Sequence, residues 1–369
     1  MLRGVIGIAI AVVLGLGAAR AADAPLAATA LAFPAATTAK VVDKYLVPRF
    51  EKFQKASAKL ADDLDATCSG KPKRLSTARD DFDRTVLAWA EIEFLRFGPM
   101  AVTGRPERIS FWPDPRGLMQ RQLGTLTARR DAAALEPGAL AGKSVAIQGL
   151  PALESLLTAK AAITADDEDG RYRCRLAVAI AKNVQSIAGD LVSDWGGDNG
   201  WRARMIAPGP DNPTYKSPAE APAEFARALV TGLQMIQDRQ LGPLIAANAG
   251  NAPAAAKPPK LPFAAAGLSG RFVGAEVGSL RALYETMGLG RNVPEQKAWM
   301  PHWIVMAWER LARDAPAAIE KGPGAKGDPD RERDLRFVRF HLEGIRKLIG
   351  RELAPLAGLT IGFNELDGD

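Results

Sequence analysis

The sequence predicts an all-α protein built from two helical bundles. Three observations carry this. Long segments place apolar residues three and four apart, so each presents one stripe for burial. No segment shows the strict apolar–polar alternation of a half-buried strand. A Gly-, Pro-, Asp- and Asn-rich stretch at residues 196–216 splits the chain into halves of comparable size.

The first residues read as an export leader. Arg3 gives a positive start, residues 5–17 are apolar and uncharged, and Ala19-Arg20-Ala21 is a small-x-small cleavage pattern. A spanning helix needs about 20 apolar residues, and this run is shorter. The expectation is cleavage near Ala21, a first bundle over residues 22–200, a second over 201–369, and no membrane span in the mature chain.

Residues 38–66 carry Val42, Tyr45, Leu46, Phe50, Phe53, Leu60 and Leu64 at helical spacing, with Pro48 predicting a kink or a late start. Residues 75–97 repeat the pattern with Ala78, Phe82, Val86, Trp89 and Ile92. Thr77 and Asp80 resemble a capping box, and Gly98-Pro99 reads as the stop. Residues 172–195 align Leu176, Ile180, Val184, Ile187 and Leu191. Ser217-Pro218-Ala219-Glu220 opens a helix expected to run through Phe225, Leu229 and Leu233 to Gly242-Pro243. Further helices are expected at 268–287, 294–319 and 331–350, and a loop at 246–262. The stretch from Ile92 to Met100 also echoes that from Ile236 to Leu244 through a shared Gly-Pro, as a duplicated bundle would; Gly-Pro is also a common helix stop.

Composition narrows the chemistry. Forty-eight basic and 42 acidic residues give a formal charge of +6, which falls to +4 without Arg3 and Arg20. The charges are interspersed, so no linear basic block points to nucleic acid. His302 and His341 are the only histidines, which excludes a His-rich metal site and the HExxH helix of zinc peptidases. Each reads better as a structural or surface histidine. Ala141-Gly142-Lys143-Ser144 is not a phosphate loop, because Pro137 stands where the first glycine belongs. No Gly-x-Ser-x-Gly elbow is present. Cys68 and Cys174 either pair or remain buried thiols. Export favours pairing, and a bridge closing so long a loop stabilises by about 4–5 kcal/mol.

The segment containing Arg96, Arg105, Arg108, Trp112, Asp114 and Arg116 gathers arginines, aromatics and prolines outside any helix. It either offers guanidinium forks to a carboxylate or phosphate or closes the end of a bundle. The ending Asn364-Glu365-Leu366-Asp367-Gly368-Asp369 either lends oxygens to a hard cation or docks through Phe363 and Leu366.

Glu91 to Pro99, Phe111-Trp112-Pro113-Asp114-Pro115-Arg116-Gly117, Gln148-Gly149-Leu150-Pro151-Ala152-Leu153-Glu154 and the acidic ending together resemble the imelysin family, in its branch of uncharacterised exported proteins. The resemblance implies duplicated four-helix bundles and a family-typical Gly-x-His-x-x-Glu motif. Here Gly149 and Glu154 fill that motif, but its histidine position is Pro151, which has no ligating atom. A metal at this place would need Glu154 and other oxygens.

The expected function is therefore a non-catalytic binding protein of the periplasm or cell envelope, linked through the resemblance to iron or metal uptake. Rival expectations are a divergent imelysin-type metallopeptidase and a scaffold for another envelope protein. The candidate binding residues are Gln148, Gly149, Glu154, Arg96, Trp112, Asp114 and Arg116, gathered around a pocket between the halves. No catalytic residue is assigned. The ligand, whether a small molecule or an envelope protein, stays open, as does any metal cofactor.

Overall fold

The computed structural model of the chain describes residues 35–160, 162–164, 166–249 and 260–362. The leader, its cleavage site and Phe363 to Asp369 lie outside the described residues, as does most of the 246–262 segment. The helices are α1 (Ala35–Val41), α2 (Val47–Cys68), α3 (Leu75–Ala90), α4 (Arg105–Ile109), α5 (Leu118–Arg129), α6 (Leu150–Leu157) and α7 (Glu168–Trp195). They continue with α8 (Trp201–Ile206), α9 (Glu220–Met235), α10 (Gly242–Asn248), α11 (Ser269–Met287), α12 (Trp299–Glu320), α13 (Pro329–Leu348) and α14 (Ala354–Leu356). No strand occurs among the described residues, so the protein is all-α.

The apolar stripes explain the packing. Phe50, Phe53, Leu60 and Leu64 of α2 are buried, and α2 packs on both α3 and α7, with α6 laid on α7. In the second half α11 packs on α12, α12 on α13, and α9 on both α11 and α13, which closes a four-helix ring. The halves meet where α1 and α3 contact α11. Cys68, at the end of α2, is bonded to Cys174 of α7 with the Cα atoms 5.6 Å apart, the first of the two alternatives for these cysteines.

Three prolines share one setting inside longer helices. Pro48, Pro243 and Pro355 each follow a π-helical turn, at Val42–Leu46, Ile236–Leu241 and Ile349–Leu353. Proline lacks the N–H of an α-turn, and its ring clashes with the carbonyl four residues back. One extra residue in the preceding turn removes both problems. The first helical segment is therefore continuous from residue 35 through Pro48 to residue 68, and α9 runs on through Gly242-Pro243 into α10 rather than stopping there.

The end of α3 is also corrected. It stops at Ala90, well before Gly98-Pro99, because the following turn closes on Trp89 and the Glu91 carbonyl accepts from the Ser279 hydroxyl of α11 at 2.7 Å. Its start needs no capping box. A 3₁₀ turn at Pro72–Arg74 delivers Arg74 already helical, which leaves Thr77 and Asp80 inside the helix. The opening of α9 is half a box: Glu220 takes the Lys216 N–H at 2.7 Å and lies 3.1 Å from the Ser217 hydroxyl.

Candidate functional site

The motif segment is used for structure. Gly149 caps α6, and Pro151 sits in the first turn, where no intrahelical N–H is lost. A Cβ on Gly149 would fall inside the van der Waals envelope of the Ile109 carbonyl, so glycine is required by the close approach of α4. Gln148 is buried and fully engaged: it accepts from Arg108 at 2.9 Å, donates to the Lys143 carbonyl at 2.6 Å, and its own carbonyl takes the Asn183 amide at 2.9 Å. Glu154 accepts the backbone N–H of Ala266 at 2.9 Å. Burial raises its pKa, and the Ala266 and Ala265 N–H groups oppose the shift.

The other candidates do not converge on Glu154. Asp114 caps the start of α5, accepting from Leu118 and Met119, each at 2.8 Å. Arg116 is exposed and Trp112 is half-buried. Arg96 pairs with Glu107 at 3.2 Å. Arg105 is buried, holding the Pro99 carbonyl at 2.8 Å and Asp194 at 2.6 Å. The arginine-rich segment thus mainly closes the end of the first bundle, the second of its two sequence readings.

A different cluster forms where the halves meet, with α11 at its centre. The Tyr45 hydroxyl, in the first π turn, donates to the Ser279 carbonyl at 3.0 Å, and Arg49 donates to the Ser279 hydroxyl at 3.0 Å while lying over the Tyr45 ring. One turn earlier on α11, Glu276 is 2 % exposed and accepts from Gln240 of the second π turn at 2.5 Å. Glu93, also buried, lies near enough to Glu276 for its charge to act on it. Burial first, and the Glu93 charge second, push Glu276 well above the usual carboxylate range.

Arg96 and Arg239 surround this pair at electrostatic range without an ion pair to either carboxyl among the described contacts. Burial lowers the Arg96 pKa, while Glu93 and Glu107 oppose the shift. Its side chain remains 31 % exposed, because it also lines a cleft of about 200 Å³ with Phe94, Phe97, Trp201 and Arg227. Glu224, on the same wall, accepts from the Tyr215 hydroxyl at 2.6 Å, and burial raises its pKa. The cleft therefore offers the Arg96 guanidinium, which also pairs with Glu107, the Arg227 guanidinium and aromatic walls, and burial raises the pKa of its carboxyl, Glu224.

Two other features are less suited to a ligand. Asp63 and Asp81 form a second buried carboxyl pair between α2 and α3, but Lys59 reaches both, at 2.7 and 3.5 Å, with Arg74 on Asp63 and Arg84 on Asp81. That pair is neutralised within the bundle. A cavity of about 890 Å³ opens beside the disulfide, but its Arg130 is bound to Glu168 and Asp169 and its Arg171 to Asp166. Among the described residues no group of three His, Cys, Asp or Glu side chains is placed to hold a metal ion. With Pro151 donating nothing and Glu154 bound to Ala266, the donors among the described residues do not fit the family-type metal.

The sequence reading missed Glu93, Arg239, Gln240 and Glu276. Three of them lay in the two stretches compared as an internal echo, which was the available signal. Glu276 had none, being one acidic residue in an ordinary amphipathic helix.

The family model described as imelysin matches residues 46–295. No curated protein matches the chain. An imelysin-like protein from Psychrobacter arcticum 273-4 superposes with a TM-score of 0.72 at 21 % identity, covering 90 % of this chain and 99 % of that one. A candidate iron-regulated protein A precursor from Parabacteroides distasonis ATCC 8503 superposes with a TM-score of 0.65 at 14 % identity, covering 86 % and 93 %. At these identities the likeness speaks for the fold. The length of the family match is decisive: the chain belongs to the imelysin family.

Proposed function

We propose that this protein is a non-catalytic binding protein of the bacterial cell envelope. In this reading it is exported by the leader ending near Ala21, its bundles at 22–200 and 201–369 act as two domains, and the ligand sits where they meet. The observation that carries the reading is the contrast in how the polar groups are used. Gln148, Gly149 and Glu154 are consumed by backbone contacts. At the junction, Arg96 opens into a cleft beside the buried Glu93 and Glu276, the latter pushed well above the usual carboxylate range by burial and the Glu93 charge.

Arg96 and Arg227 over aromatic walls suit a small anion, bound through charge-assisted hydrogen bonds. A ferric complex of an oxygen-donor chelator is the working example. It is anionic, and the name of the P. distasonis neighbour ties that protein to iron regulation. The free metal ion is not the expected ligand, since no three-donor group is available among the described residues.

Elemental analysis and titration calorimetry with iron, zinc, copper and calcium salts test this, alongside casein hydrolysis with and without added metal. The expected result is no stoichiometric binding of a free ion and no hydrolysis. Tight binding of one ion that disappears in Glu154→Ala would instead support a family-type metal site, and metal-dependent casein cleavage would support the peptidase.

A further inference from the structure

One wall of the cleft beside Arg96 is a loop folded back on itself by Asn212. The Asn212 side-chain oxygen accepts the N–H groups of Thr214 and Tyr215 at 2.9 and 2.8 Å. Its amide nitrogen donates to the Arg204 and Ala207 carbonyls at 2.7 and 3.0 Å. The Tyr215 carbonyl takes the Gly209 N–H at 3.0 Å. Tyr215 is 2 % exposed, so burial and the loop together fix where its hydroxyl points. That hydroxyl donates to Oε2 of Glu224, in the second turn of α9, at 2.6 Å.

Among the described residues, the ionisable side chains lining the cleft are Arg96, Arg227 and Glu224. No ion pair joins Glu224 to either guanidinium among the described contacts, and Arg96 pairs with Glu107 instead. Nor does a hydrogen bond reach Oε1 of Glu224 among those contacts. An anion drawn to Arg96 and Arg227 therefore meets a carboxyl on the same wall. In a space of about 200 Å³ a carboxylate charge repels that anion. A protonated carboxyl keeps Oε2 as the acceptor for Tyr215 and offers Oε1–H to the ligand.

We propose that Glu224 is a ligand-binding residue of the cleft that acts as a hydrogen-bond donor, so that the anion is taken up together with a proton. This rests on the reading of the cleft as an anion site. It narrows the ligand to an anion with an oxygen acceptor to spare, such as a carboxylate chelate.

The surroundings of Glu224 act in the required direction. Burial is the largest influence and raises its pKa. The Tyr215 hydrogen bond and the Arg227 charge oppose the shift, and Glu220, one turn earlier on α9, adds to it. Arg96 faces the same cleft from the segment after α3, and Arg204 of α8 acts on Tyr215. A bound anion adds negative charge and raises the Glu224 pKa again. By linkage, the proton strengthens anion binding by the same factor as the anion strengthens proton binding. Binding is then tightest below the pKa of the free carboxyl. It weakens as pH rises to the pKa that Glu224 has with ligand bound.

The test is titration calorimetry with ferric citrate between about pH 5 and 8 on wild type, Glu224→Gln and Tyr215→Phe. Protonation of the chelate is common to all three proteins and cancels in the ratio of affinities. Glutamine is neutral throughout and keeps an N–H donor, so it stands in for the protonated carboxyl. Glu224→Gln should bind at least about ten-fold tighter than wild type at the upper end, with the two converging at the lower end. A misfolded variant would not gain affinity. Tyr215→Phe removes a donor that opposes protonation, so the fall in affinity should move to higher pH. A ratio of Glu224→Gln to wild type that stays constant with pH overturns the proposal and leaves the anion site standing. A Tyr215→Phe profile that is unshifted, or shifted to lower pH, overturns it in the same way. Absence of binding by both wild type and Glu224→Gln at every pH overturns the anion site and the proposal together.

Discussion

The segment from Gln148 to Glu154 and the junction around Glu276 are both polar patches in an apolar bundle, and they use polarity in opposite ways. In the first, each polar group has a fixed local partner: Gln148 has Arg108, Lys143 and Asn183, and Glu154 has Ala266. In the second, the buried Glu93 and Glu276 act on each other through charge, the side-chain amide oxygen of Gln240 is buried without a partner, and Arg96 and Arg239 stand near without an ion pair to either carboxyl among the described contacts. A satisfied cluster holds structure. A cluster left short of partners and opening through Arg96 to a cleft is where a ligand completes the set. Membership of a motif is therefore a weaker guide to function than the state of the hydrogen bonds.

This contrast can be broken by mutation, and the largest effects should fall on the structural side. The bundle that carries the motif is pinned by Cys68–Cys174, which closes a loop with a sequence separation of 106. Replacing both cysteines by serine should cost about 4–5 kcal/mol on the chain-entropy estimate, read from urea unfolding. Gly149→Ala should cost about 3 kcal/mol or more, because the added methyl meets backbone that cannot yield. A shift of less than 1 kcal/mol there would show that α4 and α6 are looser than described.

The junction should reveal itself through pH. Glu276 is held above its unfolded value of 4.5, so the folded state binds a proton that the unfolded state releases. Its contribution is fully present below pH 4.5 and is lost as pH rises towards the folded pKa. Wild-type stability should therefore fall with pH above that point by up to ~1.4 kcal/mol per unit, and Glu276→Gln should flatten the slope. A wild-type curve parallel to that of the variant would mean the pair holds no extra proton. Smaller again is Glu154→Ala. It removes one acceptor from the Ala266 N–H and should cost about 1–2 kcal/mol with no change in ligand binding.

How much of this was legible in the sequence follows from the range of the interactions. Apolar periodicity is local, so the all-α class and the long helices could be read directly, and the Cys68–Cys174 bridge was one of two readings the sequence left open. Helix ends could not, because they depend on distant partners. The end of α3 is set by Ser279, far away in the chain, and α9 passes its Gly-Pro through a π turn. The motif gave the position of Gly149 and Glu154 but not their use. The junction was hidden because Glu93, Arg239 and Glu276 come from three separate segments.

The most direct test of the central claim is titration calorimetry with ferric citrate, comparing wild type with Arg96→Ala and Glu154→Ala. The account predicts that wild type and Glu154→Ala bind alike, and that Arg96→Ala, with its cleft intact but one guanidinium gone, binds at least about ten-fold more weakly, the loss of one charge-assisted contact. Absence of binding by wild type, equal binding by Arg96→Ala, or loss of binding in Glu154→Ala would contradict it. The last of these would return the function to the motif segment.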